Sequence, residues 1–311
     1  MRRGRVAVLC CALAAFACGD QRAALPDAGG EPDASPPDAG APDASAPDAA
    51  AATCHTSRNP TGEFAVTAIR SRTEEQPGDT WKAVIAAHEA GVRYIEIDVR
   101  LSADGVLIPA RVDRLEDFTS CTGSLRETTA ADLGNCSYNQ DPTIAVLPLT
   151  EGLIDVDFAG VYLDLKFTDD DLAAEIDPSL AAVAAVRGAL PSPDAVVAMT
   201  YRPAFASAFV AAGVRTGWKG YPDQAGAAAF VAVGHDLGVE MVCVEASALD
   251  AAVLDDSAAV GIWQLPWEYP SRTDQALLNL LFSHGAGGLI TDRVADLTPL
   301  VPPPCGIPSA R

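Results

Sequence analysis

The chain has 311 residues, 49% of them hydrophobic, with 42 acidic side chains against 21 basic ones and a formal net charge of -21. That apolar content is enough to build a large core, whereas the negative field works against nucleic acid and against an anionic lipid surface. A phosphate-bearing ligand would have to be met by cations gathered locally, and nothing in the composition identifies a protein partner.

Arg2, Arg3 and Arg5 precede an apolar run from Val6 to Ala17, too short to span a bilayer comfortably and built like a secretory signal. Residues 1–18 are therefore expected to direct export. The run closes Ala15-Phe16-Ala17-Cys18, small residues before a cysteine as at a bacterial lipoprotein processing site, with Ala15 where such sites prefer Leu. Cys18 is the expected lipid-modified residue, anchoring the protein to a membrane of the cell envelope. The alternative is cleavage after Ala17, with Cys18 left as a plain thiol and a soluble secreted or periplasmic product.

From residue 19 to 53 the chain repeats Pro-Asp-Ala, at Pro26, Pro32, Pro37, Pro42 and Pro47, without one aromatic residue. Such a segment has nothing to bury. Its prolines and mutually repelling aspartates predict a disordered, semi-rigid tether, on the order of 100 Å when fully extended.

Of the eight cysteines, Cys10, Cys11 and Cys18 belong to the signal, which leaves Cys54, Cys121, Cys136, Cys243 and Cys305. In an oxidising compartment most of these are expected to pair. Cys121 and Cys136 flank a polar loop and are the expected disulfide. Cys54 and Cys305 bracket residues 54–311 and would staple their ends if those lie close. Cys243, within the apolar run Val239–Val244, is the expected buried thiol.

Residues 54–311 alternate β-rich runs with helical stretches, the pattern of parallel βα units. The expected strands are Phe64–Arg70, Tyr94–Arg100, Val106–Ala110, Val161–Phe167, Ala195–Tyr201, Val214–Trp218, Val239–Val244, Val260–Leu265 and Gly288–Thr291. Helices are expected over Thr80–Ala90, Leu172–Leu190, Pro203–Ala212, Ala225–Leu237 and Asp274–His284, with the acidic run Asp169–Asp171 capping the second of these. A length of about 250 residues with some eight units predicts a (β/α)8 TIM barrel. No Gly-x-Gly-x-x-Gly sequence opens a helix, so a dinucleotide fold is not indicated. Nine strands are one too many, so one strand, or the Tyr94–Ala110 pair, is expected to belong to an elaboration. In such a barrel chemistry belongs at the carboxyl ends of the strands.

Glu96 and Asp98 alternate on one expected strand and so share a face. Two acids on an inward or mouth-facing side need a cation, and hard oxygen ligands suit Ca²⁺ or Mg²⁺. An internal ion pair with Arg70 or Lys166 is the alternative. The stretch from Pro77 to Val99, with its Gly-Asp-Thr turn, amphipathic helix, Gly91 and Ile-Glu-Ile-Asp-Val strand, is followed by Ser102-Ala-Asp-Gly105. Together with Val161-Tyr-Leu-Asp-Leu-Lys166 and Gly285-Ala-Gly-Gly-Leu-Ile-Thr-Asp-Arg293, it resembles the glycerophosphodiester phosphodiesterase family over most of residues 64–294.

The resemblance implies a metal-dependent phosphoric diester hydrolase acting on phospholipid-derived diesters. Glu96, Asp98 and Asp164 would hold the ion, Asp164 standing where the family has Glu, and Arg70 and Lys166 would grip the phosphate. It also exposes departures. The family's His-Arg-Gly appears as Ile69-Arg70-Ser71, and its second histidine position holds Arg111. The ligating Glu of its Pro-Glu-Asn-Thr turn is Gly78, with Asp79 next door as a substitute. The implied mechanism uses one imidazole to deprotonate the nucleophile and another to protonate the leaving group, help worth about 10²–10⁴-fold per group. Ile69 transfers no proton, and Arg111 is a poor acid or base near neutrality.

The four histidines, His55, His88, His235 and His284, fall away from strand carboxyl ends and are expected to be surface or packing residues. Ser71 has no imidazole in place to activate it as a nucleophile. Trp263 and Trp267 end a strand and either face the site mouth or pack. Two functions follow, an active diesterase working without the usual imidazoles or a barrel that binds a glycerophosphodiester or a protein ligand and has lost turnover. Altered chemistry on Arg111 and Asp113 is a third.

Overall fold

The computed structural model describes residues 52, 54–72, 78–166, 172–223, 225–268 and 275–305. The expected signal, the Cys18 site, the Pro-Asp-Ala tether and the Asp169–Asp171 cap lie outside the described residues. Among those described, no helix is long and apolar enough to cross a membrane.

Among the described residues there are eleven strands: β1 Ala65–Ala68, β2 Tyr94–Leu101, β3 Leu107–Pro109, β4 Ser137–Tyr138, β5 Asp141–Ala145, β6 Gly160–Leu165, β7 Val196–Thr200, β8 Thr216–Lys219, β9 Met241–Cys243, β10 Trp263–Gln264 and β11 Gly288–Thr291. Eight of them run parallel in the order β10-β9-β8-β7-β6-β2-β1-β11. The two ends of that path meet beyond β10. Gly287 N–H donates to the Gln264 carbonyl at 2.8 Å and Ile290 N–H to the Pro266 carbonyl at 2.8 Å, so the sheet closes into the expected barrel.

The ninth expected strand is β3, and it is not a barrel stave. Ser102 N–H donates to the Val106 carbonyl at 2.9 Å and Gly105 takes φ 76°, so the chain reverses at once and β3 pairs antiparallel with β2, Val99 opposite Pro109. The reversal opens an excursion between β2 and β6 that includes β4 and β5, which were not expected from the sequence. It has its own apolar centre of Leu115, Leu125, Leu133, Tyr138 and Ile144 and is closed by the Cys121–Cys136 disulfide.

The five expected helices appear within one or two residues of their bounds, and among the described residues Ala251–Ala259 and the one-turn helices Ala130–Leu133, Leu149–Gly152 and Val294–Leu297 were unforeseen. Thr80 caps helix Trp81–Glu89 by accepting from Ala83 N–H at 3.0 Å, and Asp250 caps Ala251–Ala259 by accepting from Val253 N–H at 2.9 Å. Such caps satisfy amide donors a helix start leaves without partners.

Strand alternation sorts the side chains. On β2, Ile95, Ile97 and Val99 face the surrounding helices, while Tyr94, Glu96 and Asp98 face the barrel axis. The lower interior is filled by Tyr94, Tyr162, Met199, Met241, Cys243 and Trp263. Trp263 enters because residue 287 is glycine, where a Cβ would stand 2.1 Å from the indole. Cys243 is the buried free thiol expected, and burial pushes its pKa up to about 12. At the amino-terminal end Cys54 and Cys305 are joined, with Cα atoms 4.9 Å apart.

Candidate active site

The strand periodicity that fills the barrel with apolar groups below delivers charge above. Asp98 on β2 and Asp164 on β6 are register partners, so two buried carboxylates stand side by side. Lys166, just past β6, bridges them, its Nζ 3.0 Å from Asp98 Oδ1 and 2.5 Å from Asp164 Oδ2. Glu96, one step lower on β2, accepts the Arg70 backbone N–H at 2.9 Å through Oε2. Oxygens of Glu96, Asp98 and Asp164 lie within 4.8 Å of one another.

Arg70 sits in a tight turn at the end of β1, Ile69–Ser71, with positive φ at both Arg70 and Ser71. Its Nε lies 3.7 Å from Asp98 Oδ2 and 3.8 Å from Asp79 Oδ2. Asp79 accepts the Asp98 backbone N–H at 3.1 Å through Oδ1, so it supports the cluster from beside it. Residue 78 has little room for a side chain: a Cβ there would lie 2.9 Å from the Arg70 Cβ and 3.1 Å from its carbonyl oxygen. The glutamate the family resemblance calls for cannot be restored at Gly78 without shifting Arg70.

Sequence reasoning missed Lys219. It ends β8, is 8% exposed, and its Nζ pairs with Asp164 Oδ2 and lies 3.5 Å from Glu96 Oε1. The signal was available, because Val214–Trp218 was an expected strand and the next residue therefore falls at its carboxyl end. Its partners are 55 and 123 residues away in sequence, and only barrel closure reveals them.

Burial and these cations pull the carboxyl groups apart. Glu96 is pushed up to about 7, chiefly by burial, with Lys219 opposing and Asp98 and Asp164 adding to the rise. Burial also acts to raise Asp164, but Lys166 and Lys219 overcome it and hold that carboxyl below the ordinary range. Asp79 is raised by burial and by the charges of Asp98 and Glu96. Both lysines stay protonated: burial would lower them, and Asp164 more than compensates.

The cleft above this cluster is lined by Ile69, Arg70, Glu96, Asp98, Arg111, Lys166, Lys219, Tyr221, Trp267 and Ile290. No histidine is among them. His88 and His235 lie in helices Trp81–Glu89 and Ala227–Asp236, His284 contacts Asp255 at 3.0 Å, and His55 is buried at the opposite end of the barrel between Phe64 and Phe282. Of the two tryptophans, Trp263 packs inside against Tyr162 and Trp267 forms the cleft wall, edge to face with Tyr221. Asp113 accepts from Ser124 Oγ at 2.7 Å and from Arg126 N–H at 3.3 Å. It holds the excursion's loop, away from the cleft lining, so the pairing of Arg111 with Asp113 as joint stabilisers gains no support.

Three clustered carboxylates are the donor type that holds a hard divalent cation. Asp164 Oδ1 is buried and without a hydrogen-bond partner, an acceptor available to such an ion, while Lys219 already occupies the edge shared by Asp164 and Glu96. In a closed parallel barrel the strand carboxyl ends are where binding and catalytic groups gather.

Residues 70–212 match the family described as the glycerophosphoryl diester phosphodiesterase family. Similar solved structures include a phosphodiesterase from Oleispira antarctica in complex with the product sn-glycerol-3-phosphate, at 20% identity and TM-score 0.61 over 76% of this chain and 95% of that one. A glycerophosphodiester phosphodiesterase from Thermotoga maritima matches at 17% identity and TM-score 0.58, over 76% of this chain and 98% of that one. One from Parabacteroides distasonis matches at 15% identity and TM-score 0.58, with the same coverage. At such identities the likeness establishes the fold. No curated protein matches the chain.

Proposed function

We propose that the barrel is an exported, membrane-tethered receptor for the phosphate group of a glycerophosphodiester, with turnover by the family's acid–base route lost. The observation that carries this reading is the cleft itself, where Arg70, Arg111, Lys166 and Lys219 surround the opening and no imidazole lines it. A diester carries one negative charge, and guanidinium and ammonium groups in a partly buried cleft are suited to hold it. Glu96, Asp98 and Asp164 are the residues that would hold Ca²⁺ or Mg²⁺, and such an ion would supply charge stabilisation to the bound phosphate. Arg70 and Lys166 orient the phosphate above the carboxylates, and Trp267 with Tyr221 offers an apolar wall to the rest of the ligand. The sn-glycerol-3-phosphate bound to the Oleispira relative supports a ligand of this class.

Neither Ile69 nor Arg111 can pass a proton at neutral pH. Purified protein is therefore expected to release no glycerol 3-phosphate from glycerophosphodiesters above background, with Ca²⁺, with Mg²⁺ or with chelator. The double variant Ile69→His with Arg111→His should introduce measurable release. Chelator-sensitive turnover by the unaltered protein, lost in Glu96→Ala, would replace this reading with that of an active diesterase. The anchoring half of the proposal rests on Cys18, and Cys18→Ser should move the protein out of the membrane fraction.

A further inference from the structure

Lys219 is the feature of the site that the sequence motifs do not account for. It comes from a strand of the barrel wall, so its Cα is fixed, and it opens onto the cleft instead of being sealed beneath it. Its Nζ touches Asp164 and Glu96, two of the three carboxylates of the candidate cation cluster. An ion coordinated by those two side chains would need their oxygens at about 2.0–2.6 Å, in the space the ammonium takes. Two cations in one place repel, so the ion and Lys219 are alternatives.

Charge points the same way. Arg70, Lys166 and Lys219 are the bases that contact Asp79, Glu96, Asp98 and Asp164, so the carboxylates already have positive charge among them with no ion present. Only Glu96 and Asp98 of those acids line the cleft, against Arg70, Arg111, Lys166 and Lys219. The wall that a ligand meets therefore carries more basic than acidic groups.

We propose that Lys219 is the resident cation of this site, a tethered ammonium in the place of a divalent ion, and that the cleft captures its phosphodiester anion without added metal. The proposal rests on the reading of the cleft as a glycerophosphodiester site. Such a site would be insensitive to the supply of divalent ions outside the cell, and it would bind them weakly because Lys219 must leave first.

Calorimetric titration of the purified protein with sn-glycerol 3-phosphate and with glycerophosphocholine, in chelator and again in excess Ca²⁺ or Mg²⁺, tests this. The expected result is binding in chelator, with a dissociation constant within about twofold of that measured with the ion. Lys219→Met should weaken binding in chelator by roughly tenfold or more and tighten Ca²⁺ in direct titration by a similar factor. Lys219→Arg, which keeps the charge, should retain ion-independent binding. Binding by the unaltered protein that appears only with the ion would overturn the proposal and leave the glycerophosphodiester reading intact. Absence of binding under every condition would remove that reading and this one together. The unaltered protein alone decides between these outcomes, whatever the folding of the variants.

Discussion

The two ends of the same eight strands are stabilised in opposite ways. At the amino-terminal end Phe64 and Phe282 meet edge to face with ring centres 4.8 Å apart, and Cys54–Cys305 ties together chain ends 251 residues apart. At the carboxyl end, beside the wall of Ile69, Trp267, Tyr221 and Ile290, the acids Asp79, Glu96, Asp98 and Asp164 are held by Arg70, Lys166 and Lys219. The first arrangement tolerates the loss of one contact because others remain. In the second, Glu96, Asp98, Asp164 and Lys219 are buried on the strength of their neighbours, and removal of one leaves the others uncompensated.

The largest effect is expected at the apolar end. Cross-linking so long a loop restricts the unfolded chain strongly, and loss of the bridge by Cys54→Ala with Cys305→Ala should cost about 3–5 kcal/mol. Denaturant unfolding measures this. Ligand binding by the surviving folded protein should be unchanged, and a matching loss of affinity would mean the two ends are not independent.

At the charged end Asp164→Asn leaves Lys166 and Lys219 without the carboxylate they share, and should cost about 3 kcal/mol. The informative measurement is the double variant with Lys219→Met. If the cluster is mutually dependent, the pair should be less destabilised than the sum of the single variants, by about 1–3 kcal/mol. Additive losses would show that the cluster is a set of separate contacts.

A smaller effect, of opposite sign, is expected where β1 delivers Arg70. Ser71 is fully buried with φ 52°, and its hydroxyl has no hydrogen-bond partner. The left-handed conformation costs a non-glycine residue roughly 1–2 kcal/mol, partly offset by the greater freedom of glycine in the unfolded chain. Ser71→Gly should therefore stabilise by about 1 kcal/mol, seen as a raised melting temperature. A destabilised variant would mean that Ser71 has an unrecognised partner.

The contrast between the ends also explains which features could be read from sequence. The alternation of Glu96 and Asp98 and the Asp164-x-Lys166 pair are local patterns with a period of two, and the fold brings these four side chains together. The excess strand could not be resolved from periodicity, because Leu107–Pro109 is as apolar as a barrel strand and differs only in the direction imposed by the turn at Gly105. Lys219 stands alone among uncharged residues, and its role depends on partners that β2 and β6 bring to it. Ion pairs across a barrel are products of closure, whereas the apolar interior is written into each strand separately.

The smallest expected effect returns to the apolar end and concerns pH. His55 is buried between Phe64 and Phe282, with Nδ1 lacking a partner, and burial lowers its pKa from the ordinary 6.5. The unfolded chain therefore takes up this proton before the folded one does. The contribution to stability is complete above pH 6.5 and is lost as pH falls from there through the lowered folded value. His55→Gln, which cannot titrate, should flatten the stability profile in that window while leaving ligand binding at the other end unaffected. A profile as steep in the variant as in the parent would assign acid sensitivity to the carboxylates at the mouth, and with it would move the weaker end of the barrel from the floor to the site.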